Sequence, residues 1–356
     1  MKLTVQLVVW NGEKYIPYLF ESLRAQTFKD WDLLIFDNNS TDNIINKIQK
    51  ELNNFSVQNK FIKSKENIGF AGGHNLLYAK NDSEYILLLN QDMYLEKDCF
   101  SKLVEYLDKN EKTASSSPRL MRWNFGDVEK GLENSFGENI DTLGLKVFRS
   151  RRVVDTFAQQ KWGEVKTKFN GKNDVEVFGV SGALPIYRRS ALKVVEENGL
   201  IFDTLFGSYK EDVDLAFRLC SVGFNAAVIL NVVAYHDRSG TGSKDYSDKS
   251  AIKNKKKQST QLSYQSYKNH IMILLKNEYW QNFLLDFIWI LCYELKKFVY
   301  YFLFNRKNLK GLKEIWENRN IILNRRKEIK QNRKVDWREM RRKHDIKNKL
   351  KINTLS

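Results

Sequence analysis

The chain has 356 residues, 42% of them hydrophobic and only 3 prolines, which excludes a disordered polymer and allows one large domain or two smaller ones. Its net charge of +16 is uneven: residues 305–356 hold 18 Lys and Arg against 6 Asp and Glu, so the body is nearly neutral. Cys99, Cys220 and Cys292 are widely spaced and odd in number, which excludes a disulfide framework or zinc ligand set and fits a reducing compartment.

In chain order, the apolar run at 1–10 is too short and strand-like for a signal peptide, so a cytoplasmic protein is expected. Strands are predicted at 5–9, 33–36, 57–62 and 86–89, with helices between them at 15–24, 41–52 and 71–79. This alternation predicts an α/β fold with a mainly parallel central sheet and flanking helices. A helix near 100–107 and a strand at 114–120 follow. Residues 121–175 lack sustained periodicity and read as an insertion of loops and short strands. A strand with a Gly-rich bend at 179–182 is predicted over 176–187, then a helix at 212–221 and a strand at 226–235.

The C-terminal region, 265–356, stands apart from a body at 1–264. Trp280, Phe283, Leu284, Phe287, Ile288, Leu291, Leu295, Phe298, Val299 and Phe302 recur at three- and four-residue spacing, one broad apolar helix stripe. Its longest uncharged run, 287–293, is far short of the roughly 20 residues a spanning helix needs. Stripe and basic tail together predict an amphipathic region lying on an anionic membrane surface. The bland alternative is a helix packed on its own core with a solvated tail.

Polar residues gather where strands end. Asp37 and Asn39 follow the second strand, a good place for a nucleoside in an open parallel sheet, although an ordinary turn has the same composition. Gly69, Gly72 and Gly73 precede a helix and let backbone approach a ligand, with Asn67, His74 and Asn75 as polar contacts; a plain Gly-rich turn reads the same way. Asp92, just past an apolar strand, suits a hard cation such as Mg²⁺ or Mn²⁺ whose shell a diphosphate completes, though a solvated loop acid would look alike. Glu211, Asp212 and Asp214 open a helix, and three acids exceed what capping requires. His236 gains meaning only if it meets Asp92 in space.

Taken in order, the segments at 8–13, 26–27, 37–42, 67–75, 87–92, 181–183, 202–203, 211–214 and 235–236 resemble family 2 glycosyltransferases, inverting enzymes with the GT-A fold. The resemblance covers about 1–240, with 267–270 and 276–277 also family-like, and extends to bacterial rhamnosyltransferase-like enzymes of surface polysaccharides. It implies a nucleotide-diphosphate sugar as donor, a UDP- or dTDP-sugar with dTDP-rhamnose among the candidates, and a lipid-linked or glycan acceptor. Carried over by position, Val9, Asn11, Glu13, Asp37 and Asn39 would hold the nucleoside. Asn67, Gly69, Gly73, Asn75 and Gln91 would border the nucleotide, while Ser181 and Gly182 would shape the donor and acceptor pocket. Asp92 and His236 would bind the divalent metal, and Asp212, with Glu211 beside it, would be the catalytic base. Asn90 replaces the first acid of the family's Asp-x-Asp signature, leaving one carboxylate ligand, and Lys210 stands where a small residue is common.

The expected setting is the inner face of the plasma membrane, with no nucleic-acid partner, since no exposed aromatic sheet face is evident. The competing expectation is a non-catalytic lipid- or nucleic-acid-binding module on a degenerate transferase fold.

Overall fold

The computed structural model describes residues 1–238 and 259–344. Strands β1 (Leu3–Val9), β2 (Trp31–Asp37), β3 (Asn59–Lys63) and β4 (Tyr85–Asn90) alternate with helices α1 (Ile16–Arg24), α2 (Ile44–Leu52) and α3 (Gly69–Tyr78). They pair in parallel in the order β3-β2-β1-β4, the arrangement that βαβ crossovers produce. Both faces of β1 are covered, so Thr4 and Gln6 are buried along with Leu3, Val5, Leu7 and Val9.

Beyond β4 the sheet becomes mixed. Its order continues through β11 (Ile186–Arg188), β6 (Thr113–Trp123), β12 (Asn225–His236) and β10 (Asp174–Val177). Strand β11 runs antiparallel to both neighbours, whereas β6 and β12 are parallel to each other. The strand expected over 176–187 is therefore two strands. Residues 178–185 carry the chain from the sheet edge at β10 to a slot between β6 and β4, which no single strand could occupy. Short β5 (Met93–Leu95) pairs with β12, and β7 (Phe136–Thr142) pairs with β6. Within 121–175, β8 (Leu145–Val147) and β9 (Val153–Asp155) form a separate hairpin, followed by the short helix α5 (Trp162–Val165).

Helix α4 (Cys99–Lys109) buries Cys99, Phe100, Leu103, Val104 and Leu107, one stripe at helical spacing, against the sheet. Helices α6 (Arg189–Val195) and α7 (Glu211–Ser221) cover the other face through Ala191, Leu192, Leu215 and Leu219. The C-terminal region comprises α8 (Thr260–Asn277), α9 (Trp280–Leu285), α10 (Phe287–Phe304), α11 (Lys310–Glu317), α12 (Arg319–Asn332) and α13 (Trp337–His344). Met272, Ile273, Ile315 and Ile322 from these helices share a core with Phe206, Val213 and Phe217. Helix α8 is thus packed onto α7.

The single apolar helix expected over 280–302 is broken at Asp286. That carboxylate is buried and accepts hydrogen bonds from Arg149 (2.8 Å), Arg151 (3.0 Å) and Arg341 (2.7 Å). The arginines outweigh the effect of burial and hold its pKa at about 2.

Candidate active site

Parallel pairing sets the first half of the site. Val9 lies opposite Asp37 and Val8 opposite Asn90, so three strand ends meet at one rim. Asn11, in the left-handed region at φ 48°, accepts from the Thr41 N–H at 2.7 Å, and its own N–H donates to Ser40 Oγ. The Glu13 N–H donates to Asp42, and Asp37 accepts from the Ser40 N–H. Asn39 sits exposed at φ 64°. These contacts lock the two turns at 9–13 and 37–42 together.

Asn38 Oδ1 accepts from the Ile68 N–H at 2.8 Å and links this rim to the Gly-rich turn. There Asn67 accepts from Gly69, whose φ of +75° places it where a Cβ would stand 2.6 Å from the Gly207 carbonyl. The turn that precedes α7 is therefore pressed against the turn that opens α3.

Three of the expected nucleotide contacts are used elsewhere. Gly73 faces the sheet, where a Cβ would meet Val8 at 3.0 Å and Phe36 at 3.1 Å. Asn75 is buried and bonded to the backbone of Ile201 and Phe202, so it ties α3 to the loop before α7. The Gln91 carboxamide exchanges two hydrogen bonds, each 2.9 Å, with the backbone of Trp10. It clamps the first turn rather than facing a ligand. His74, another polar candidate, is fully buried, and burial lowers its pKa to about 3.

Asp92 and His236 do meet. The turn between β4 and β5 carries Asp92 toward the end of β12, where the Asp237 N–H donates to the Asp92 carbonyl. Asp92 Oδ1 lies 3.4 Å from His236 Nε2, and His236 Nδ1 bonds Asp141 Oδ2 at 2.8 Å. Burial alone would lower the imidazole pKa, but the two carboxylates override it and hold it at about 9. Asp141 is itself buried, yet His236, Arg238 and Arg122 keep its pKa at about 2.

A carboxylate oxygen and an imidazole nitrogen 3.4 Å apart, with the second imidazole nitrogen held by a buried acid, are of the kind that can supply two ligands to a divalent cation. Among the described residues no third His, Cys, Asp or Glu joins them. The fit is to a cation that takes its remaining ligands from a diphosphate and water.

The second acidic cluster divides. Asp214 is fully buried and neutralised by Arg218 at 2.9 Å, Lys276 at 3.2 Å and Asn277 at 2.8 Å. Among the described residues no such cation contacts Glu211 or Asp212. Asp212 Oδ2 accepts from the Gly182 N–H at 2.9 Å and Oδ1 from the Val213 N–H at 2.8 Å. Burial nonetheless raises its carboxyl above the ordinary value. Glu211 is raised by burial and then by Asp212, and its Oε2 has no hydrogen-bond partner among the described residues. Ser181 is nearly buried beside Gly182.

Tyr209 and Lys210, at φ 73° and 69°, form two successive left-handed residues before these acids. Such geometry costs about 1–3 kcal/mol per residue and persists only where surroundings hold it. The Asn269 carboxamide, on α8, holds it by donating to the carbonyls of Phe206, Ser208 and Tyr209.

Arg238 joins the two clusters. It lies 2.7 Å from Asp155 and 3.8 Å from Asp141, and it also feels the charge of Asp212. Asp141, Asp155 and Arg238 went unrecognised in the sequence, whereas Asn269 fell in the family-like segment 267–270 without a role assigned to it. The two acids lie in the aperiodic stretch 121–175, and the only available signal was Arg238 two residues after His236.

A family model described as Glycosyl transferase family 2 matches residues 4–195. The teichoic acid poly(glycerol phosphate) polymerase of Staphylococcus epidermidis is 29% identical over 105 residues, 27% of this chain and 15% of that one. An uncharacterized glycosyltransferase of Haemophilus influenzae is 25% identical over 108 residues, 30% of this chain and 33% of its own. The matched stretch thus spans a third or less of these relatives' lengths. Among solved structures, S. aureus TarS 1-349 in complex with UDP-GlcNAc aligns with a TM-score of 0.51 and 18% identity, covering 93% of this chain and 81% of that one. GalNAc-T7 with UDP, GalNAc and Mn²⁺ aligns with a TM-score of 0.56 and 12% identity over 78% and 48%. Likeness at this identity establishes a shared fold, GT-A.

Proposed function

The chain belongs to glycosyl transferase family 2, and from that premise we propose that it moves a sugar, with inversion, from a nucleotide-diphosphate donor to an acceptor hydroxyl. The observation that carries the reading is the buried, raised carboxyl pair Glu211–Asp212, set against Gly182 and beside the Gly69 turn. A carboxylate whose pKa is lifted toward neutrality is suited to take a proton from the acceptor hydroxyl as the sugar bond forms. Asp212 is the base, with its two backbone hydrogen bonds aiming the carboxylate. Glu211 keeps the surrounding charge low.

The turns at 9–13 and 37–42 hold the nucleoside. Asp92 and His236 hold Mg²⁺ or Mn²⁺, which when bound neutralises charge on the departing diphosphate. Asp141 fixes the imidazole ring so that Nε2 faces Asp92.

The donor is a UDP- or dTDP-sugar and the acceptor a lipid-linked or glycan chain of a bacterial surface polysaccharide, at the inner face of the plasma membrane. Relatives named for glycerol-phosphate and ribitol-phosphate polymers support that setting. No described helix is long and apolar enough to cross a membrane.

Thermal unfolding with UDP or dTDP and Mn²⁺, followed by a panel of nucleotide sugars, tests this reading. A nucleotide at 100 times its Kd adds about 2.7 kcal/mol of stability. A body that no nucleotide stabilises, with lipid or RNA binding carried by the basic tail, would instead describe a degenerate fold used as a binding module.

A further inference from the structure

Helices α9 and α10 are built inside out. An amphipathic helix ordinarily turns its apolar stripe to the core. Here all ten residues of the recurring apolar pattern, Trp280 to Phe302, are exposed, and Ile288 and Leu303 reach 70% and 62%. Apart from the buried Ile290, the inner side is polar. Glu294 lies 2.6 Å from His270 on α8, Lys297 sits between the rings of Tyr267 and Tyr293, and Tyr301 bonds Ser263. Asp286 and its three arginines fasten the junction of the two helices to the body. The helices are held by polar contacts and hydrogen bonds, leaving a contiguous apolar surface facing outward. Exposed apolar faces of this extent mark interaction sites.

We propose that the α9–α10 face docks into the interfacial region of an anionic lipid bilayer. This deepens the peripheral location proposed above and relies on it only for which membrane face is meant. Three observations select lipid as the occupant. Trp280, Trp289 and Trp316 are all exposed, and tryptophan favours the headgroup level. The chain that continues from α10 exposes Arg306, Lys307, Lys310 and Lys313, placing positive charge where anionic headgroups would lie. A second copy set against the same face would bring two such basic segments together, a like-charge arrangement that interfaces avoid. The 18-residue α10 is too polar on its inner side to cross, so it lies in the plane.

The inner side of α10 is joined to the proposed base through α8, where His270 meets Glu294 and the neighbouring Asn269 holds the turn before Glu211. Lys210, directly before Glu211, feels the charges of both Asp212 and Glu294. An acceptor anchored in the bilayer would therefore arrive beside the base.

The test is flotation of the full chain with phosphatidylcholine vesicles containing about one-third phosphatidylglycerol, compared with phosphatidylcholine alone. The wild type is expected to float with the anionic vesicles and to bind them at least tenfold less at high salt. An Ile288→Glu, Leu295→Glu variant should lose at least tenfold in binding with its unfolding midpoint and UDP binding unchanged, because both side chains point to solvent. The proposal fails if the wild type binds no vesicle, or if the variant floats as well as the wild type. It fails equally if sedimentation shows a dimer that the double substitution dissolves, which would make the face a contact between copies.

Discussion

Replacing Asp212 by Asn separates catalysis from folding at the proposed site. In the wild type both carboxylate oxygens accept backbone N–H groups, at 2.9 Å from Gly182 and 2.8 Å from Val213. Asparagine keeps one acceptor and turns an amide NH₂ toward the other N–H, a loss of about 1 kcal/mol for one hydrogen bond. Removing a charge that burial disfavours offsets part of that, so the variant should fold with a midpoint within a few degrees of wild type. Loss of a general base, in contrast, costs a factor of about 10²–10⁴, equivalent to roughly 3–5 kcal/mol of barrier. The assay is nucleoside-diphosphate release under transfer conditions, with nucleotide affinity measured in parallel by calorimetry. The expected pattern is a collapse of kcat with nucleotide Kd unchanged. If the folded variant kept more than a tenth of wild-type kcat on every donor that the wild type uses, Asp212 would not be the base. If Glu211→Gln alone caused the collapse, the two roles would be exchanged.

Other outcomes follow from the same geometry. Glu211 has a raised carboxyl in the fold, so its stabilising neutral form is complete below the ordinary value of 4.5 and is lost as pH rises through the raised one. Glu211→Gln should therefore gain about 1–3 kcal/mol over wild type between pH 5 and 8 and nothing near pH 4, as read by denaturant unfolding. The acid limb of kcat/KM should lie above the ordinary carboxylate range of about 4 and should disappear with Asp212→Asn. Asp141→Asn removes the charged partner of His236 and should weaken Mn²⁺ binding, followed by electron paramagnetic resonance, by about 10–100-fold without unfolding the chain. Asp286→Ala strips three arginines of a shared partner, including the almost fully buried Arg151, and should cost about 3–5 kcal/mol in chemical denaturation.

The parallel half of the fold was legible because a strand covered on both faces is rich in apolar residues, and β1, β2 and β4 contain apolar runs at 7–9, 33–36 and 85–89. The strand at 176–187 misled for the same reason. Val175, Val177, Phe178, Val180, Ala183 and Leu184 are all buried, so apolar composition continues through a loop that crosses the sheet. At the site, Asp92 and His236 could be found but not joined, because the strand β5 whose pairing with β12 brings them together is only three residues long. Gly73 and Asn75 illustrate the opposite error. Their chemistry suits a ligand, but helical spacing turns them toward Val8, Phe36 and Phe202. Burial of a polar side chain is a property of the fold that its local sequence does not carry.

Asn90 can be understood in that light. One acid is missing from the metal signature, yet the site gains Asp141 from β7 through His236, and Arg122 and Arg238 through Asp141. Charge is distributed over a network that the aperiodic stretch supplies. The proposed base, Asp212, depends on a distant element in the same way. Its strained approach at Tyr209 and Lys210 is held by Asn269, and its helix is pinned at Asp214 by Lys276 and Asn277, all three from α8. Helix α8 in turn carries His270, which meets Glu294 on the apolar-faced α10. Asn269, which holds the turn before Asp212, and His270, which meets the apolar-faced helix, are therefore consecutive on one helix. On the proposed reading, a force that seats α10 in a bilayer would act on the same helix that holds the turn before Asp212, giving a membrane-bound acceptor and that carboxylate a common frame.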